Sequence, residues 1–288
     1  MDSKTETLKP RFASDILFAS TDAELKHFQP VDGIRDRFGN RIFTSNDLAY
    51  RDREGDQVKA ALLVSQEGER FIKNHPGILN KIGEAICKWG EHVKDGRIGN
   101  QLQIDLDTKL TYLGGGSQSH AHLLQIGNEY IVVKTRSARA DLIDRTGLTQ
   151  PYINEMLQTQ SIAKDLKIGL AEIGIGFPRF LFASGQVSCV RFEQGHEPSE
   201  KRINKVKNDL FNLIENYIKR RRENDLWKNI YADMVAFGTN KPRVDDIIEK
   251  NDGGLVFIDP FIYQTERPTK FQRLKARIFY MIEAFGHD

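Results

Sequence analysis

The sequence predicts a mixed α+β fold in which an antiparallel sheet precedes a helical region. Three observations carry this. Between residues 102 and 135, apolar and polar side chains alternate in short runs separated by turn signals. Residues 203–218 and 270–285 instead repeat apolar side chains at every third or fourth position. Between these regimes, Glu193-Gln194-Gly195-His196-Glu197-Pro198 breaks both periods and reads as a linker. With 288 residues, 39% of them hydrophobic, the chain can bury a sizeable core in one large domain or two smaller ones.

Composition narrows the partners. A net charge of +2 is too balanced to argue for nucleic-acid binding on bulk charge. The basic run Lys219-Arg220-Arg221-Arg222 ends a helix-like segment, where it complements the helix dipole. Cys87 and Cys189 lie far apart within apolar patterns, so both are expected as buried free thiols, with no disulfide framework or metal cluster. No apolar run approaches the ~18 residues of a membrane span, and the first residues carry no apolar leader. A soluble cytoplasmic protein with no membrane partner is the expectation.

Residues 1 to about 60 are polar, with little sustained periodicity, and are expected to be irregular or extended. Ile78, Leu79, Ile82, Ile86, Trp89 and Val93 then follow helical spacing, which predicts an amphipathic helix over about 76–93 with Pro76 near its start. Strands are expected at 102–106, 109–113, 121–126 and 130–135, with Gly127-Asn128 as a hairpin turn. A helix beginning near Pro151 carries Tyr152, Met156, Leu157, Ile162 and Leu166 on one stripe, with Glu155 beside it. A strand pair follows at 177–182 and 187–192, turning at Ser184-Gly185. After the helical stretch over 203–218, Leu255-Val256-Phe257-Ile258 reads as a strand entered through Asp252-Gly253-Gly254 and ending at Asp259-Pro260.

Within this order, Gly114-Gly115-Gly116-Ser117 falls in the first hairpin connection, and Lys134 closes the third strand of the meander. Glycines allow backbone N–H groups to approach a phosphate closely. A lysine at the end of an apolar strand is costly to bury unless an anion meets it. The pairing suggests a hairpin lid over nucleotide phosphates; a plain loop and a solvated strand edge are the other reading. His120 and His122 flank the glycines and could touch phosphate, or stand as surface loop histidines. Without a nearby Cys or carboxylate cluster they make no metal site.

Strand, glycine loop, strand, lysine-bearing strand, glutamate-bearing helix, two strands, linker and helices is an order that resembles the protein-kinase-like superfamily, over roughly residues 100–288. The resemblance rests on Gly114-Gly115-Gly116-Ser117, Ile131-Val132-Val133-Lys134, Glu155 and Phe257-Ile258-Asp259-Pro260. It implies a two-lobed fold: an N-terminal extension over 1–98, an antiparallel N-lobe with one helix over 99–193, and a reduced helical C-lobe over 194–288. A divergent, minimal bacterial or phage kinase-like protein is the form it suggests.

The same resemblance implies ATP and Mg²⁺ as ligands and a protein or small-molecule hydroxyl as acceptor. Gly114, Gly115, Gly116 and Ser117 would cover the triphosphate, although the G-x-G-x-x-G spacing is absent. Lys134 would hold the α- and β-phosphates and pair with Glu155. Glu193, Gln194 and Gly195 would form the segment that reads adenine. Asp259, with Pro260-Phe261 after it, would ligate Mg²⁺; as bare sequence it also suits a cap or turn. Asp233 would be the catalytic base and Asn240 the second metal ligand, at a wider spacing than the family's H-R-D-x-x-x-x-N. Another register makes Asp246 the metal ligand, leaves no aspartate at the base position, and implies a pseudokinase acting as a nucleotide-sensing or protein-interaction module. There the segment before residue 100 would be the partner-binding part, with its Trp89 helix docked on the kinase-like lobe.

Overall fold

A computed structural model of the chain describes residues 33–51, 57–94, 100–115, 119–136, 151–165, 167–206 and 247–258, together with Leu25, Phe28, Asp209 and Leu213. The fold is mixed α+β with a large antiparallel sheet. Its strands are β1 (Ile34–Arg35), β2 (Arg41–Arg51), β3 (Gln57–Val64), β4 (Gln101–Gln103), β5 (Thr108–Gly115), β6 (Ser119–Ile126), β7 (Glu129–Arg136), β9 (Phe180–Ala183) and β10 (Val187–Arg191). Their order across the sheet is β1-β2-β3-β9-β10-β7-β6-β5-β4. A smaller sheet joins β11 (Ile247–Glu249), β12 (Leu255–Phe257) and β8 (Ile175–Gly176), with β12 and β8 parallel. The helices are α1 (Gln66–Asn74), α2 (Ile78–Lys94), α3 (Pro151–Asp165) and α4 (Lys167–Glu172), and residues 200–206 are also helical.

The chain divides into two compact units: residues 1–154 with 179–192, and residues 155–178 with 193–288. The first holds the large sheet. The expected meander β5-β6-β7 is present and turns at Gly127-Asn128. Beyond it, β10 pairs with β7, β9 with β10, and β3 with β9. Part of the segment expected to be irregular or extended is therefore sheet: β2 and β3 extend it through β9. Its alternation is interrupted by a register shift between Thr44 and Ala49, which hides the period from sequence inspection.

The apolar face of the large sheet is covered by α2. Ile78, Leu79, Ile82, Ala85, Ile86 and Trp89 are buried and share a core with Leu110, Leu124, Ile131, Val133, Phe182 and Cys189. This is the stripe that the helical spacing predicted, with the helix starting at Ile78 after a Pro76-Gly77 turn. α1 escaped the sequence reading. Ser65 caps it by accepting from the Gly68 N–H at 3.0 Å. Arg191 of β10 ties the elements together: its Nε donates to Glu67 at 2.9 Å, its Nη1 to Glu129 at 2.5 Å, and its guanidinium lies over the Phe71 ring.

Two local expectations are corrected. The strand expected at 102–106 ends at Gln103, because the Asp105 carboxylate accepts the Asp107 N–H at 2.9 Å and bends the chain. Of the thiols, Cys189 is buried, but Cys87, on the margin of the α2 stripe, is half-buried.

In the second unit, β11 and β12 form a hairpin around Asn251-Asp252-Gly253, and Ile203 and Val206 of the helical stretch are buried.

Candidate functional site

The glycine segment begins where β5 leaves regular pairing. Tyr112 is opposite His122, but the next aligned pair is Gly114 with Ala121, so Leu113 is bulged out and half exposed. Gly114 adopts φ +154°, a conformation L side chains rarely take, with open space where a side chain would stand. Gly115 pairs with His120. Gly116 and Ser117 lie outside the described residues.

Lys134 falls on β7, an interior strand, and its register links it directly to that hairpin. Gly114 is opposite Ala121, Ala121 opposite Lys134, and Lys134 opposite Ser188. Residues directly opposed in antiparallel strands share a face. The glycine, the lysine and a buried serine thus form one row across β5, β6, β7 and β10. Lys134 is half-buried on the side away from Val133, which belongs to the core. Two residues on, and so on the same face, is Arg136, a buried cation opposite Ser119 whose backbone N–H donates to Gln186 O at 3.2 Å. The sequence reading passed over Arg136; the Lys-x-Arg spacing at a strand end was its signal.

Glu155 lies on α3, whose Pro151 start matches the expectation and whose Met156 is buried. The Glu155 side chain is outside the described part of the chain. Glu193 and Gly195 sit on irregular chain after β10. Gly195 is held tightly: a Cβ there would meet Ile248 Cγ2 at 2.2 Å and the Glu249 carbonyl oxygen at 2.5 Å. Beside it, the His196 N–H donates to Glu249 O at 3.0 Å, and the Glu249 N–H returns the bond at 2.9 Å. Asp233, Asn240, Asp246 and Asp259 lie outside the described residues.

The histidines are not loop residues. His120 and His122 are on β6, and His122 is only 1% exposed. Period-two counting back from the core residues Ile126 and Leu124 puts His122 inward. Its ring is edge-on to Trp89 at 5.2 Å and 5.4 Å from Tyr112, and neither ring nitrogen has a hydrogen-bond partner. Burial first, and the neighbouring His120 second, lower its pKa to about 4; the adjacent Val133 backbone offsets this slightly. Burial also lowers the His120 pKa. Both rings are neutral at pH 7. They face the core, opposite to the Lys134 face, so contact with a phosphate on that face is excluded for them. Among the described residues, no three His, Cys, Asp or Glu side chains group to hold a metal ion, and no helix is long and apolar enough to cross a membrane.

No protein-family model matches the sequence, and no curated protein is similar to it. Among solved structures, the chain is similar to the ternary complex of streptomycin, ATP and APH(2″)-IIa, at 13% identity and a TM-score of 0.25, over 67% of this chain and 81% of that one.

Proposed function

We propose that the protein is a kinase-like ATP phosphotransferase that moves the γ-phosphoryl group of Mg·ATP to a hydroxyl on a protein or small molecule. The observation that carries the reading is the in-register row from Gly114 through Ala121 to Lys134. A glycine hairpin and a lysine from the next strand but one, on a common face, are a geometry that suits a polyphosphate. Lys134, with Arg136 on the same strand face, supplies positive charge, and Glu155 on the following helix is the residue to orient Lys134. The Glu193–Gly195 segment offers backbone groups to adenine.

Asn240 and Asp259, the positions that the kinase-like resemblance marks, would hold Mg²⁺ through their side-chain oxygens. When bound, the ion neutralises phosphate charge. Asp233 accepts the proton of the acceptor hydroxyl. Substrate positioning and charge neutralisation account for most of the rate in such a site.

The test is γ-phosphoryl release or transfer from labelled ATP, with Asp233→Ala as comparison. The reading predicts that Asp233→Ala loses transfer, by about 10²-fold or more, while ATP affinity is retained. Undiminished turnover in that variant would remove Asp233 from the base role. ATP binding without any transfer by the wild type would point instead to a nucleotide-sensing pseudokinase.

A further inference from the structure

The face of the sheet opposite Lys134 carries a second arrangement at the same hairpin. Tyr112 is the last regularly paired residue of β5 before the Leu113 bulge, and His120 is the residue of β6 opposite Gly115. These two side chains bridge the hairpin near its glycine end: Tyr112 Oη and His120 Nδ1 are 3.3 Å apart. With His120 neutral in its Nε2–H form, the tyrosine hydroxyl donates. Trp89 of α2 stacks on the Tyr112 ring, with centroids 5.5 Å apart and planes 19° apart. His122 fills the angle between the two aromatic rings, with neither nitrogen in a close hydrogen bond and the Val133 backbone the polar group nearby. Buried polar atoms without partners oppose folding, so an aliphatic side chain would serve packing better at this position. The four rings make one continuous contact from a helix of the first hundred residues to both strands of the glycine hairpin.

We propose that α2 positions the glycine hairpin through this contact: Trp89 braces Tyr112, Tyr112 holds His120, and together they fix the two strands that carry Gly114 and Gly115. Trp89, Tyr112 and His120 are positioning residues. They touch the face away from Lys134 and act through the hairpin backbone. α2 thereby sets how firmly the hairpin is held, and displacing Trp89 from its place in the core would loosen it. The consequence for nucleotide binding rests on the phosphotransferase reading; the mechanical coupling between α2 and the hairpin does not.

The experiment compares the full-length wild type with Tyr112→Phe, Trp89→Leu and Trp89→Phe. Backbone hydrogen exchange is followed by mass spectrometry over residues 113–121, with β9 and β10 as the internal reference, alongside ATP affinity by calorimetry. Tyr112→Phe removes the hydroxyl and keeps the stacked ring, and is expected to speed hairpin exchange about three- to tenfold. Trp89→Leu should do so at least as much. Trp89→Phe, which retains an aromatic ring, should restore most of the protection. β9 and β10 should exchange as in the wild type, and ATP affinity should fall about three- to tenfold in the variants with a loosened hairpin.

Unchanged hairpin exchange would overturn the proposal. So would equal acceleration in β9 and β10, which would mark Trp89 as a plain core residue. Full ATP affinity in a variant with a loosened hairpin would overturn the link from hairpin to nucleotide binding. A wild type that binds no ATP would defeat the phosphotransferase reading, and the exchange data would still decide the brace.

Discussion

Acidifying the protein from about pH 7.5 to about pH 4 is expected to cost about 3 kcal/mol of stability through His122 alone. The ordinary histidine pKa is 6.5, and burial brings that of His122 to about 4 in the folded chain. Between these values the unfolded chain binds a proton that the folded chain refuses. Stability therefore rises with pH across this window and is lost as pH falls from about 6.5 toward 4. The gap between the two values, at about 1.4 kcal/mol per unit, sets a ceiling of about 3.5 kcal/mol, of which about 3 is lost by pH 4, where the folded ring is half protonated. With the ring 1% exposed, solvent offers little relief. Urea unfolding at closely spaced pH values, for the wild type and His122→Leu, isolates the effect, because carboxylate contributions are common to both. At neutral pH the leucine variant should lie within about 1 kcal/mol of wild type, since the loss of ring contacts is offset by removing two unpartnered nitrogens. The difference curve should then move in favour of leucine as pH falls. Parallel curves would refute the reasoning and show that His122 finds a proton acceptor or reaches solvent.

Two further substitutions test the architecture. Ile82→Ala, at the fully buried centre of the α2 stripe, should cost about 2–5 kcal/mol in urea unfolding, and a loss under about 1 kcal/mol would argue that α2 does not cover the sheet. Gly195→Ala forces a Cβ against Ile248 and the Glu249 carbonyl oxygen and should cost about 1–3 kcal/mol; a neutral result would mean that the chain around Gly195 gives way easily.

The elements that were legible in the sequence are those specified over a short span. The β5-β6-β7 meander announces itself by alternation and by Gly127-Asn128, and α3 starts at Pro151 as that residue's fixed φ favours. Lys134 could be placed on the third strand because Ile131 and Val133 alternate into the core before it. What was missed depends on distant chain. β3 pairs with β9, whose residues come more than a hundred positions later, and no local pattern announces that partner. The bulge at Leu113 and the register shift in β2 each break the period of two where it would have been diagnostic. His122 was read as a loop residue for its polarity, although the phase of Leu124 and Ile126 already directed it inward. Arg136 is buried at the end of β7, where a charged residue ordinarily marks a solvated strand end, so its charge pointed the other way. The carboxylates assigned by resemblance, Asp233 and Asp259, owe nothing to periodicity, and both lie outside the described residues.

The central claim is that the row from Gly114 to Lys134 binds a nucleotide polyphosphate. Its most direct test is calorimetric titration of the full chain with ATP, with and without Mg²⁺, beside Lys134→Ala and Asp259→Ala. The account predicts binding by the wild type that strengthens with Mg²⁺, falls about tenfold or more in Lys134→Ala, and loses its Mg²⁺ dependence in Asp259→Ala. A folded wild type that takes up no ATP under either condition would contradict it.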